Sequence, residues 1–271
     1  MVIRMSYNVE KLKKDFPYEN RPSILSTIDE NDYYKYIGCS YIKEQNPIVI
    51  EKIKKGVEVL LNVPQSTGLI IYGRGGISKT FNVEQTLKDN NKEEEQDYYI
   101  IGGKATSKEL YQTFYKHNGK IIVLDDSDDI IKNKTNVSFL KNGFNTSPNR
   151  KMQYLTSQAM AVPNEFTVTS KVIVITNLEE TKFDQALLTR FIPVDATVTD
   201  EDIFSYIKQN IRSIEKDIPL YDKYVVLQSL YFRYKNGLIN KPIQIRLFIN
   251  ALYSYVFCKE KGIENWESMI F

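Results

Sequence analysis

The sequence predicts an α/β fold: a parallel-sheet P-loop core, a small helical lid after it and a short N-terminal arm before it. Three observations carry this. Apolar runs at Gly68–Tyr72, Tyr98–Ile101, Ile121–Leu124 and Val172–Ile175 alternate with stretches of helical periodicity, the pattern of strands covered on both faces by crossover helices. The first run breaks into a glycine loop that closes on Lys79-Thr80 and continues as a helix. From Thr199 onward the apolar pattern is helical only. The expected boundaries are 1–45 for the arm, 46–198 for the core and 199–271 for the lid.

In order, Val9–Phe16 fits a short helix, and the prolines and tyrosines after it read as an arm rather than a domain. Ile48, Ile50, Ile53, Val57, Leu60 and Leu61 form a helical stripe that Pro64 ends. Asn90–Asp97 is a polar acidic connection. Ser107–Lys116 is a helix with Ser107 as its expected N-cap and Leu110, Tyr111 and Phe114 on one side. Ile121–Leu124 has three β-branched residues in four and ends on Asp125-Asp126. The segment after it is longer than one crossover needs. Val137–Phe144 supplies the helix, and Met152–Leu155 with Phe166–Thr169 pair as a hairpin or small flap. Val172–Ile175 ends on Thr176-Asn177. Phe191–Val194 is an edge strand, because Pro193 has no N–H for a ladder. Thr199 opens the first lid helix with acidic residues in its first turn, Asp222–Tyr234 forms the second, and Pro242 opens the third.

Composition excludes more than it selects. The chain has 271 residues, 42% of them apolar, enough for a sizeable core. A net charge of +2 gives no global field for nucleic acid. No run approaches the ~18 apolar residues of a membrane span. Cys39 and Cys258 are the only cysteines and His117 the only histidine, which argues against a disulfide framework or a zinc site. The polar start Met1–Lys14 and the sparse cysteines read as a reducing, cytoplasmic protein.

Chemistry collects at the carboxyl ends of the expected strands, where parallel sheets bind ligands. Gly73, Arg74, Gly75, Gly76, Ile77, Ser78, Lys79, Thr80 and Phe81 form the loop and the helix start. Their backbone N–H groups would wrap phosphates, Lys79 would reach the terminal ones, and the Thr80 hydroxyl would hold Mg²⁺. The departure from G-x-x-x-x-G-K-[ST] is Ser78, where glycine is usual. If this position needs a positive φ, serine is strained by on the order of 1 kcal/mol; if not, its hydroxyl faces a phosphate. Asp125 would hold Mg²⁺ and Asp126 would polarise the attacking water, against the plainer reading of a charged turn running on through Ser127-Asp128-Asp129. Asn177 would bind the water or the γ-phosphate, or simply end a strand. Arg190 reads as an arginine finger or a surface arginine. Arg246 would reach the γ-phosphate from the lid or pair on a helix surface.

These motifs in this order resemble the AAA+ ATPases, in particular the compact AAA-type ATPases of bacteriophages. Gly73–Thr80 resembles Walker A, Ile121–Asp126 Walker B, Asn177 sensor 1, Leu187–Phe191 the arginine-finger segment and Pro242–Arg246 the sensor 2 helix. The resemblance covers roughly 45–260 and departs at Ser78 and at Asp126, where glutamate is commoner. It implies ATP with Mg²⁺ and a homo-oligomeric ring, often a hexamer, in which Arg190 serves the neighbouring site. It also implies a phage DNA transaction such as replication, helicase action or helicase loading. Remodelling of a protein partner through the N-terminal arm and a slow or non-hydrolysing nucleotide switch stay open beside it. If the chain is phage-encoded, its compartment is the host cytoplasm. The segment 150–170, flanked by Arg150, Lys151 and Lys171, falls where some ring helicases carry a DNA-touching hairpin; a structural flap is the alternative.

Overall fold

The structure is a computed structural model that describes residues 19, 29–37, 39, 41–42, 48–156, 160–263 and 266–270. The expected helix Val9–Phe16 lies outside the described residues. The chain divides into two compact units, Ile48–Val198 and a second made of Met1–Pro47 with Thr199–Phe271.

The first unit holds a five-stranded parallel sheet. Its strands are β1 (Gly68–Tyr72), β2 (Tyr98–Gly102), β3 (Ile121–Asp125), β6 (Lys171–Ile175) and β7 (Ile192–Asp195), in the order β2-β3-β6-β1-β7. β1 is buried along its whole length, as a strand covered on both faces must be. Successive residues face opposite ways. Ile70, Tyr72, Ile122, Leu124, Val172 and Val174 join one cluster with α4 (Ser107–Lys116), α5 (Asp128–Lys132), α6 (Lys134–Gly143) and α7 (Gln185–Leu188). The alternate residues Leu69, Ile71, Val123 and Ile173 are fully buried. On their side α2 (Ile48–Asn62) packs on β1, β7 and α3 (Lys79–Asp89). Among the described residues β7 pairs only with β1, which leaves Pro193 on the sheet edge.

This strand order positions the site. From β1 the chain crosses to the far edge of the sheet and returns through β3 and β6, so β3, β6 and β1 are consecutive neighbours. Their carboxyl ends therefore stand side by side at roughly 5 Å spacing.

Two short strands, β4 (Lys151–Gln153) and β5 (Glu165–Thr167), pair antiparallel as the expected flap. Met152, Phe166 and Val168 pack into the sheet's helical cluster beside Tyr111 and Phe139. The N-cap of α4 is Thr106 rather than Ser107. Thr106 has the extended backbone a cap requires, its hydroxyl accepts from Glu109 N, and Glu109 reaches back to it in a capping box.

The second unit contains α8 (Asp200–Asn210), α9 (Leu220–Lys235) and α10 (Ile245–Lys261), packed through Phe204, Ile207, Leu227, Leu230, Phe248 and Leu252. Thr199 and Asp202 form a capping box on α8. The third helix begins at Ile245, three residues beyond Pro242, because Gln244 is fully extended at φ −145° and ψ 151°. The described part of the expected arm joins this unit. α1 (Glu30–Ile37) packs on α9, Lys208 Nζ donates to Ile42 O at 3.0 Å, and the Tyr41 and Tyr231 rings lie 5.3 Å apart. Cys39 and Cys258 are buried and free, and burial pushes the Cys39 thiol up to about 12. Among the described residues no helix is long and apolar enough to cross a membrane.

Candidate nucleotide site

The glycine loop leaves β1 at Gly73, whose φ is +123°. A Cβ there would stand 2.7 Å from the backbone of Ala196 and Thr197, so only glycine fits. A Cβ on Gly75 would stand 3.1 Å from Asn177 Oδ1. Ile77 is buried and anchors the loop. Ser78 occupies the left-handed region at φ 56° and ψ 44°. That answers the question the sequence leaves open: the position needs φ > 0, and serine fills it with strain. Asn82 props this turn, donating Nδ2 to Ser78 O at 2.9 Å and its backbone N–H to the same oxygen at 3.0 Å. The sequence offered no distinct signal for Asn82, because the buried face of its helix also carries Lys79 and Thr86.

Helix α3 begins at Lys79 behind the loop, so its first N–H groups and the positive end of its dipole face the loop. The Lys79 side chain is 6% exposed. Its Nζ donates to Gly73 O at 2.5 Å, Arg74 O at 3.2 Å and Asn177 Oδ1 at 2.9 Å. Burial lowers its pKa to about 8, partly offset by the carboxylates of Asp128, Asp125 and Asp126. Thr80 Oγ1 donates to Asp125 Oδ1 at 2.7 Å, and the same oxygen accepts from Asp126 N at 3.0 Å. Asp126 turns off β3 at φ 47°, a conformation aspartate tolerates better than most residues. Its Oδ1 accepts from Asn177 Nδ2 at 3.1 Å.

Gly73, Arg74, Lys79, Thr80, Asp125, Asp126 and Asn177 are thus joined by one hydrogen-bond network at three adjacent strand ends. Asn177 is the bridge because β6 lies between β3 and β1. Asp128, which sequence reading left within a charged turn, belongs to the same network. Its Oδ1 accepts from Thr176 Oγ1 at 2.6 Å and Asn177 N at 2.9 Å.

The remaining expected residues lie outside this network. Phe81 is 61% exposed in the first turn of α3. Arg190 is exposed at the carboxyl end of α7, where it donates to Ala186 O at 2.5 Å. Arg246 is exposed in the first turn of α10 in the other unit.

The donors fit a nucleotide with Mg²⁺. Thr80 and Asp125 present two hard oxygens 2.7 Å apart. Mg²⁺ takes few protein ligands and completes its shell with water and phosphate oxygens. Among the described residues no group of three or more His, Cys, Asp or Glu could hold a metal ion.

The basic residues beside the flap are engaged within the chain. Arg150 Nη1 donates to Ser170 O at 3.0 Å and Lys151 pairs with Glu165 at 2.7 Å. Lys171 Nζ donates to the carbonyls of Leu60, Leu61 and Val63 at the end of α2. All three have partners within the chain.

No family model matches the chain. It is 25% identical over 164 residues to an Enterobacteria phage T4 protein described as an uncharacterized 36.7 kDa protein in the nrdC-mobD intergenic region. That match takes in 54% of this chain and 50% of the relative, so the chain spans about half the length of the curated relative it matches. Among solved structures, two mutant forms of RuvB from Thermotoga maritima are similar. One has a TM-score of 0.49 at 12% identity, over 80% of this chain and 66% of that one. The other has a TM-score of 0.43 at 11% identity, over 68% and 56%. The parallel sheet, its flanking helices and the glycine loop at the end of β1 fit the AAA+ resemblance carried by the motifs.

Proposed function

We propose that this chain binds ATP with Mg²⁺ at the β1–α3 loop and hydrolyses it as an AAA+ motor, working as a homo-oligomeric ring in a phage DNA transaction such as replication, helicase action or helicase loading. The observation that carries the ATPase reading is the bridge from Lys79 through Asn177 to Asp126, beside the Thr80–Asp125 pair. Phosphoryl transfer asks mainly for positioning and charge stabilisation, and this network supplies both. Lys79 exchanges the carbonyls of Gly73 and Arg74 for β- and γ-phosphate oxygens. Thr80 and Asp125 hold Mg²⁺, which when bound neutralises phosphate charge. Asp126 accepts the proton of the attacking water while Asn177 orients it. The water oxygen bonds to the γ-phosphorus as the bridging P–O bond breaks, and ADP leaves with the electron pair. Arg190, exposed and outside its own chain's network, serves the neighbouring subunit's nucleotide.

The phage setting draws support from the T4 relative. Remodelling of a protein partner is the second reading of the task, favoured by the in-chain pairing of Arg150, Lys151 and Lys171. The deciding experiment measures ATPase rate with and without single-stranded DNA, double-stranded DNA and RNA, alongside particle mass with ATP. Turnover lost in Lys79→Ala and Asp126→Ala, stimulated by DNA in a particle of several subunits, is the expected result. Turnover indifferent to nucleic acid and raised by a protein gives the second reading. ATP binding without turnover gives a nucleotide switch.

A further inference from the structure

We infer that Asp128 is a positioning residue of this site: its carboxylate fixes the backbone at Asn177 so that one amide side chain meets Lys79 and Asp126 together. The inference rests on the ATPase reading above and deepens it.

The Asn177 side chain is exposed, so packing does not hold it. Its orientation is nonetheless determined chemically. Lys79 has only donors and an ionised Asp126 only acceptors, so Oδ1 must face the lysine and Nδ2 the carboxylate. Both contacts hold only if the backbone leaves β6 at a fixed angle, and Asp128 sets that angle. Its Oδ1 takes the Thr176 hydroxyl and the Asn177 N–H together. Thr176 is fully buried, and its Oγ1 also accepts from Leu178 N at 3.1 Å. Leu178 O in turn accepts from Gly73 N at 3.2 Å. The segment 176–178 is therefore held by Asp128 on one side and by the glycine loop on the other.

Asp128 is itself fixed. The preceding Ser127 is fully buried and directs both its N–H and its hydroxyl at Ile175 O, at 3.0 and 2.8 Å. This locks the turn after β3 to the end of β6. An acidic residue that merely favoured the start of α5 would sit near that helix's own N–H groups; the described Oδ1 contacts of Asp128 cross to the neighbouring strand instead.

The test compares Asp128→Ala with Asp128→Asn in the full chain, reading kcat, KM, ATP affinity and melting temperature. An asparagine Oδ1 can accept both hydrogen bonds, whereas alanine accepts neither. Asp128→Ala is expected to lower kcat roughly 10- to 100-fold, the scale of losing a hydrogen bond to a charged group, with ATP affinity within about threefold of wild type. Asp128→Asn is expected to recover kcat to within about threefold. Thr176→Val, which removes the donor to Asp128 and the acceptor for Leu178 N while keeping the shape, is expected to lower kcat with unchanged ATP affinity and serves if the alanine variant does not fold. Wild-type kcat in Asp128→Ala, or in Thr176→Val where that variant stands in, would overturn the inference. So would an asparagine variant as impaired as the alanine one, because charge rather than position would then matter. Absence of ATP turnover in the unmodified chain overturns the ATPase reading itself, and that arm is read on wild type alone.

Discussion

Thr80 donates its hydroxyl to Asp125 Oδ1 across 2.7 Å, joining the first turn of α3 to the carboxyl end of β3. The two oxygens are near enough to share one hard cation. Thr80→Val and Asp125→Asn should each weaken MgATP binding roughly 10- to 100-fold, about 1.5–3 kcal/mol. ATP binding in excess chelator should change little. Titrations with and without Mg²⁺ check this, and equal losses in both conditions would remove the metal from these residues.

Ser78 pays for its place in the loop with a φ of 56°. Glycine relieves that strain but adds unfolded-state entropy, so Ser78→Gly should stabilise by up to about 1 kcal/mol. That corresponds to a rise of roughly 2–4 °C in melting temperature. Ser78→Val, β-branched and poorly suited to this region, should destabilise. Thermal unfolding of the pair checks the assignment; a lower melting temperature for the glycine variant would contradict it.

Lys79 titrates at about 8 in the folded chain, against 10.5 for a free lysine, because burial disfavours its charge. Below pH 8 both states hold the proton and the cost of burying the charge is constant. Between pH 8 and 10.5 the unfolded state binds more protons, so this group makes stability rise with pH, by a limit of about 3 kcal/mol. Lys79→Met removes the effect. Denaturant unfolding of both proteins across this window should therefore show wild type gaining on the variant as pH rises. ATP needs the ammonium form, so its affinity should fall above pH 8 toward tenfold per pH unit, with proton uptake visible in calorimetry across buffers.

Lys171 ends α2 with its ammonium on the carbonyls of Leu60, Leu61 and Val63. Removing a cation from a partly buried helix terminus costs up to about 2 kcal/mol. Lys171→Met should lose stability on that scale and leave any DNA affinity unchanged. A variant that folds as stably as wild type yet binds DNA more weakly would support the DNA-hairpin reading of the flap.

The site was largely legible before the fold was known, and the reasons lie in particular residues. Gly73–Thr80 and Asp125-Asp126 were visible because a loop after one apolar run and acids after another mark strand ends. Asp128 was not, because a carboxylate in Ser127-Asp128-Asp129 looks like any solvated turn until its cross-strand partners Thr176 and Asn177 are known. The in-chain partners of the basic residues flanking the flap were not legible either. Arg150 and Lys171 are separated in sequence from the carbonyls they bind, so their structural role had no local signature. The described arm residues read as a separate segment for the same reason, since α1 meets α9 only through packing between distant parts of the chain.

By itself the sequence determined the elements and their chemistry, because periodicity, glycine placement and residue type act over a few neighbouring positions. The order β2-β3-β6-β1-β7 was left to the tertiary structure. That order puts Asn177 between the lysine and the aspartates and so turns separate motifs into one network. The backbone at residue 78 was decided there as well. Gly73 passes against Ala196, α3 begins at Lys79, and residue 78 between them takes the left-handed conformation, which residue type alone does not disclose.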